Sequence, residues 1–141
     1  MSLVGNAPLI ADNVEAQSFC ASSLKLGNFR NYSVLSLELD SGPVVLAGAN
    51  GSGKTNILEA ISLLSPGKGF RKIKLQDADM ISNGTTILPW SISAVINKGG
   101  EEFLIGTGRE SIADSKRIVK IDGDIVKSQS ELTSVFSVMW L

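Results

Sequence analysis

The sequence predicts an α/β fold organised around one glycine-rich loop. Three observations carry that expectation. Val44-Val45-Leu46-Ala47 is a run without a polar residue, which suits a short strand buried on both faces. Gly48-Ala49-Asn50-Gly51-Ser52-Gly53-Lys54-Thr55 follows it and fits G-x-x-x-x-G-K-[ST]. Thr55 to Leu64 then reads as the best helix of the chain, ended by Ser65-Pro66-Gly67.

The other elements follow in chain order. Residues 1 to 22 mix small and polar side chains without a period and read as a mostly irregular extension. Order is expected from Ser23, where Leu24 and Leu26 alternate with polar neighbours as in a half-buried strand. Asn28 to Tyr32 interrupts it, Val34 to Leu39 resumes the alternation, and Ser41-Gly42-Pro43 turns the chain into the buried strand. In the helix, Asn56, Glu59 and Ser62 fall three apart on one narrow stripe, and the rest is apolar or small, so the helix should be buried on most sides. Glu59 is expected to make an internal hydrogen bond.

Beyond the helix the pattern turns β-rich. Trp90 to Asn97 alternates with Ile92, Ala94 and Ile96 on one face, and Glu102 to Gly106 can pair with it across Lys98-Gly99-Gly100. Arg117 to Ile121 and Ile125 to Lys127 flank Asp122-Gly123, a strong hairpin signal. Ser128 to Ser134 suits a short helix, and Phe136 to Leu141 reads as the start of a further strand. That run stops inside an apolar stretch, which predicts a piece of a larger domain.

Composition narrows the chemistry. A length of 141 residues points to one domain, and an apolar fraction of 43% with 19% charged residues is that of a globular protein. The net charge of −1 supplies no global field, so any nucleic-acid contact must be local. With no histidine and a single cysteine, Cys20, neither a Ser-His-Asp or Cys-His nucleophilic site nor a Cys/His zinc site can be built. No apolar run is long enough to span a bilayer and no basic signal start precedes Lys25, so a cytoplasmic protein without a membrane partner is expected.

The loop motif assigns a job to each position. Its glycines let successive N–H groups turn toward phosphate oxygens, and the helix N-terminus adds partial positive charge. Lys54 should reach the β- and γ-phosphates and the Thr55 hydroxyl should ligand Mg²⁺. The expected nucleotide contacts are Gly48, Ala49, Asn50, Gly51, Ser52, Gly53, Lys54, Thr55 and Asn56, with Arg30 added from the region before the loop. Asn97-Lys98-Gly99-Gly100 lacks the aspartate of a guanine-reading segment and reads as a hairpin turn, which favours ATP. Lys68, Arg71, Lys72 and Lys74 gather four cations around Phe70 and are candidate contacts to a DNA backbone.

Phe29-Arg30-Asn31-Tyr32, the loop Gly48 to Asn56, Ile57-Leu58-Glu59-Ala60-Ile61-Ser62, Gly67-Lys68-Gly69-Phe70-Arg71 and Arg117 to Gly123 together resemble the RecF family of DNA repair and recombination proteins. The resemblance covers about residues 23 to 140. It implies an α/β phosphate-loop NTPase of the ABC/SMC head type, here an N-terminal lobe with mixed and antiparallel sheet around the loop's helix, residues 23 to 141 being incomplete at the C-terminus. It further implies ATP at a dimer interface, action on gapped DNA or single-strand/double-strand junctions, and RecO and RecR as partners. For the full-length protein the resemblance implies a slow DNA-dependent ATPase. No apolar run ending in Asp-Glu and no signature segment occurs in these residues, so this chain by itself is expected to bind nucleotide weakly and to hydrolyse it poorly. Another SMC-like head, or a dimerisation module that uses ATP without hydrolysis, is the alternative.

Overall fold

The computed structural model describes residues 2–4, 19–86 and 88–139. The elements run β1 (Ser2–Val4), β2 (Phe19–Phe29), β3 (Tyr32–Glu38), β4 (Val45–Ala47), α1 (Lys54–Leu63), a 3-10 turn (Leu75–Ala78), β5 (Ile81–Ser82), β6 (Thr85–Thr86), β7 (Ser91–Lys98), β8 (Glu101–Gly108), β9 (Ile118–Ile121), β10 (Asp124–Ile125) and α2 (Gln129–Val135). Six strands form one sheet in the order β10-β9-β8-β7-β2-β3, and β4 pairs with β1 in a separate ladder. Every described strand pair is antiparallel. The parallel component of a mixed sheet is therefore not found among the described residues.

The sheet follows the alternation read from the sequence. Ile92, Ala94 and Ile96 are almost wholly buried on one face, beside Leu24 and Leu26 across the β2–β7 ladder and Ile105 across β7–β8. The same core contains Ile57, Ala60, Leu63 and Leu64 of α1 and its end, so the helix lies against that face. Trp90 and Phe29 are fully buried, edge to face at 5.7 Å, and Trp90 Nε1 donates to Leu75 O at 2.9 Å. Both predicted hairpin turns form: Gly99 and Gly100, and Asp122 and Gly123, all take the left-handed backbone that such turns require. The C-terminal helix is capped by Ser128 Oγ, which accepts from Glu131 N at 3.2 Å.

Four expectations need correction. Strand β2 begins at Phe19, because pairing with β7 continues to Phe19↔Lys98; a register shift between Ala21 and Ser23 breaks the alternation and conceals that start. The extension is likewise not wholly irregular, since Ser2–Val4 forms a strand on β4; residues 5–18 lie outside the described set. β4 is not buried on both faces: Val44 and Val45 are 46% and 53% exposed, because a run of apolar residues supplies no cover of its own and β1 is its described neighbour. Residues 136–139 form no strand, and Trp140 and Leu141 lie outside the described residues. The β5–β6 hairpin was also missed, although Asn83-Gly84 is a strong turn signal and both residues are left-handed.

The helix stripe has an orientation that periodicity did not supply. Glu59 and Ser62 are buried, whereas Leu58 is 41% exposed. The polar stripe faces the protein, and its partners define the site.

Candidate functional site

The loop between β4 and α1 is shaped by two left-handed glycines, Gly51 (φ +82°) and Gly53 (φ +94°), the latter standing at the helix N-cap. Ser52 N donates to Ala49 O at 3.1 Å, and Ile57 N makes the first helical bond to Gly53 O at 3.2 Å. The first N–H groups of α1 thus point into the loop without intrahelical acceptors. Lys54 Nζ folds over the loop's rim, donating to Gly48 O (2.6 Å), Ala49 O (2.7 Å) and Ser52 Oγ (3.4 Å). Thr55 is exposed on the first turn.

A hairpin tip that precedes the loop by twenty residues holds it in place. Asn28 and Arg30 both take left-handed backbone (φ +49° and +54°) on either side of buried Phe29, and Arg30 N bonds Ala78 O at 2.8 Å. This strained turn aims three consecutive side chains at α1. Tyr32 Oη donates to Ser52 O at 3.2 Å. Asn56 Nδ2 donates to Asn31 Oδ1 at 2.7 Å. Arg30 Nε and Nη2 donate to Glu59 Oε2 and Oε1 at 3.1 and 3.0 Å, a bidentate pair on a fully buried carboxylate. Reading the tip backwards, Tyr32 meets the loop at Ser52, and Asn31 and Arg30 meet Asn56 and Glu59, which lie three apart on one face of α1. Burial pushes the Tyr32 hydroxyl above its ordinary pKa, and its hydrogen bond with Asn31 opposes part of that rise.

The close approach explains the second invariant feature of the motif, its glycine before the lysine. A Cβ on Gly53 would sit 2.7 Å from Asn31 Nδ2 and closer still to Tyr32 Oη. Glu59 thus makes the internal bond expected of it. Two of the three guanidinium nitrogens of Arg30 are committed to Glu59. Tyr32 and Asn31 were not singled out as loop supports. Their signal was present only as nearness in sequence to Arg30, since nothing local says that a hairpin tip lands on a helix twenty residues on.

The far end of α1 is closed by Arg117. Its guanidinium donates to the carbonyls of Leu63, Ser65 (2.9 Å) and Gly67 (2.8 Å) and to Thr107 Oγ1 (2.9 Å), satisfying acceptors that a helix C-terminus leaves open. Burial lowers its pKa from the ordinary arginine value. The loop after the helix is pinned as well: Ser62 Oγ accepts from Phe70 N at 3.2 Å, and Gly69 is left-handed against Ser62 and Leu63. Lys68, Lys72 and Lys74 of this loop line a common hollow with Lys116 and Arg117, while the Arg71 guanidinium sits 5.6 Å above the Phe70 ring. A second buried pair, Arg109 Nη1 with both oxygens of Asp79 (2.7 and 2.6 Å), fastens the loops behind the sheet. Among the described residues no group of three or more Cys, Asp or Glu side chains could hold a metal, and no helix is long and apolar enough to cross a membrane.

A strand, a phosphate-type loop and a helix in this order define a nucleotide-binding lobe, and comparison agrees with that class. The chain belongs to the family described as AAA domain, whose sequence model matches residues 23–136. Within it the similarity is to RecF. The DNA replication and repair protein RecF of Agrobacterium fabrum is 46% identical over 121 residues, covering 85% of this chain and 32% of that protein. RecF of Allorhizobium ampelinum is 40% identical over 127 residues, covering 89% and 33%. The chain therefore spans about a third of the length of these relatives. Among solved structures, the recombination mediator protein RecF with ATP, of the RecFOR pathway, superposes with a TM-score of 0.70 at 27% identity, over 82% of this chain and 31% of that one. The SMC head domain from Thermotoga maritima shares the fold, with a TM-score of 0.58 at 21% identity over 83% of this chain and 42% of that one.

Proposed function

We propose that this chain is the ATP-binding lobe of a RecF-like ATPase that works in DNA replication, repair and recombination. The observation that carries the reading is the phosphate loop clamped to a strained hairpin tip by Tyr32, Asn31 and Arg30. A rigid loop presents its N–H groups in the geometry that a triphosphate needs, which lowers the ordering cost of binding. Gly48 to Gly53 supply backbone donors, and Lys54 exchanges its own-chain carbonyls for β- and γ-phosphate oxygens. Thr55 Oγ1 would ligand Mg²⁺, which would balance phosphate charge when bound. Asn56, through Asn31, and Arg30, through Glu59, act mainly by holding the loop.

The loop would position a triphosphate, but no apolar run ending in Asp-Glu and no signature segment accompanies it in these residues, so weak binding with little turnover is the expected behaviour. In the whole protein, ATP closes a homodimer that engages gapped DNA or a single-strand/double-strand junction in the cytoplasm, with RecO and RecR as partners. The RecFOR context of the superposed ATP-bound RecF supports this assignment.

The test is titration of the chain with a fluorescent ATP analogue in the presence and absence of Mg²⁺. Saturable binding that is lost in Lys54→Ala and strengthened by Mg²⁺ is expected. Binding unaffected by Lys54→Ala, or a preference for GTP, would overturn the reading.

A further inference from the structure

We infer that the hollow at the C-terminal end of α1 is a nucleic-acid backbone site, built by Lys68, Lys72 and Lys74 together with Lys116. The inference rests on the proposed DNA role and gives it a location. Lys116 lies forty-two residues beyond Lys74, and only the fold brings it there. Five of the thirteen basic residues of a chain with net charge −1 line this one hollow, and no carboxylate lines it. Ion pairs among the described residues are made by Arg30 and Arg109, and the four lysines make none.

The charges are held together by structure. Gly67, Gly69 and Lys72 are all left-handed (φ +98°, +74° and +50°), and the loop is bonded to Ser62 through Phe70 N and to Arg117 through Gly67 O. A solvated loop would let like charges spread. This one spends backbone strain at Lys72, a non-glycine residue, to keep them close. Arg117 is occupied with the helix carbonyls and anchors the hollow, leaving the lysines to meet a ligand.

Its shape favours a chain of phosphates over one small anion. Two hollows, of about 490 and 390 Å³, adjoin and share Gly67, Lys68 and Lys72. Lys68 and Lys72 border both, so the basic lining extends as a track across more room than one small anion fills. The track is also separate from the phosphate loop: α1 has ten residues, a length of about 15 Å, and the two sites lie at opposite ends of it.

The experiment follows duplex DNA binding by fluorescence anisotropy between about 50 and 200 mM salt, using the whole chain. Four backbone contacts predict that wild-type affinity falls roughly a hundredfold over that range. Lys68→Gln, Lys72→Gln, Lys74→Gln and Lys116→Gln combined should remove most of that slope and weaken low-salt binding at least tenfold, with binding of the ATP analogue unchanged as evidence of folding. Lys25→Gln with Lys120→Gln, on the opposite sheet face, should leave both intact. An unchanged slope in the fourfold variant would overturn this site while leaving DNA binding itself standing. Absence of DNA binding by the wild-type chain at low salt would overturn both, as would tight pyrophosphate binding at the same lysines without DNA binding.

Discussion

Replacing Glu59 by Gln tests the clamp with the smallest change of shape. The carboxylate is fully buried and accepts two hydrogen bonds from Arg30, at 3.1 and 3.0 Å. Removing one partner of a buried, hydrogen-bonded ion pair costs about 3–5 kcal/mol when the other charge stays dry. Two features reduce that figure. The Arg30 side chain is 25% exposed and can recover water, and the glutamine carbonyl can still accept one of the bonds. A loss of about 2 kcal/mol results, the difference between a bidentate ion pair and a single bond from the guanidinium to an uncharged amide carbonyl. For a chain of 141 residues that corresponds to a melting temperature lower by roughly 7 °C. The assay is thermal unfolding by circular dichroism, with ATP-analogue affinity measured in parallel. Because the tip holds the loop at three points, affinity should fall severalfold while Asn31 and Tyr32 still hold. Replacing both Arg30 and Glu59 by Met should restore much of the stability, since no unpaired charge remains. A Tm unchanged within 1 °C in Glu59→Gln would refute the argument that this pair ties hairpin to helix.

Gly53→Ala places a methyl group against Asn31 and Tyr32 at φ +94°; the domain should stay folded by circular dichroism while nucleotide affinity drops at least tenfold. Near-normal affinity would show that the tip yields. Arg117→Met strips donors from three carbonyls and Thr107 at the end of α1, and urea unfolding should show a loss of about 2–4 kcal/mol with faster proteolysis in the 67–74 loop. Tyr32 has a pKa raised by burial, so its share of stability is fully present below the ordinary value of 10.0 and is lost as pH climbs through the folded value. Tyr32→Phe should be slightly less stable at neutral pH, having lost the Ser52 bond, yet decline less steeply above pH 10; parallel alkaline melting curves for the two proteins would dismiss that role.

Elements whose cause is local are legible from the residues alone. A glycine-lysine-threonine loop between an apolar run and a helix is recognisable because each position meets a requirement of its own backbone. The β7–β8 and β9–β10 hairpins are legible for the same reason, through their turn residues and alternation. The start of β2 is not legible because a register shift breaks the period there, and β4 lacks the cover that its own apolar residues cannot provide. The direction in which the 56-59-62 stripe faces is set by long-range packing. Periodicity shows that three polar residues share a side, but whether that side meets water or Arg30 depends on a hairpin folded from elsewhere. Arg117 and Lys116 show the same limit. A cation before a strand carries no mark of the helix end or the hollow it reaches, because pairing between distant segments is set by packing of the whole sheet on α1.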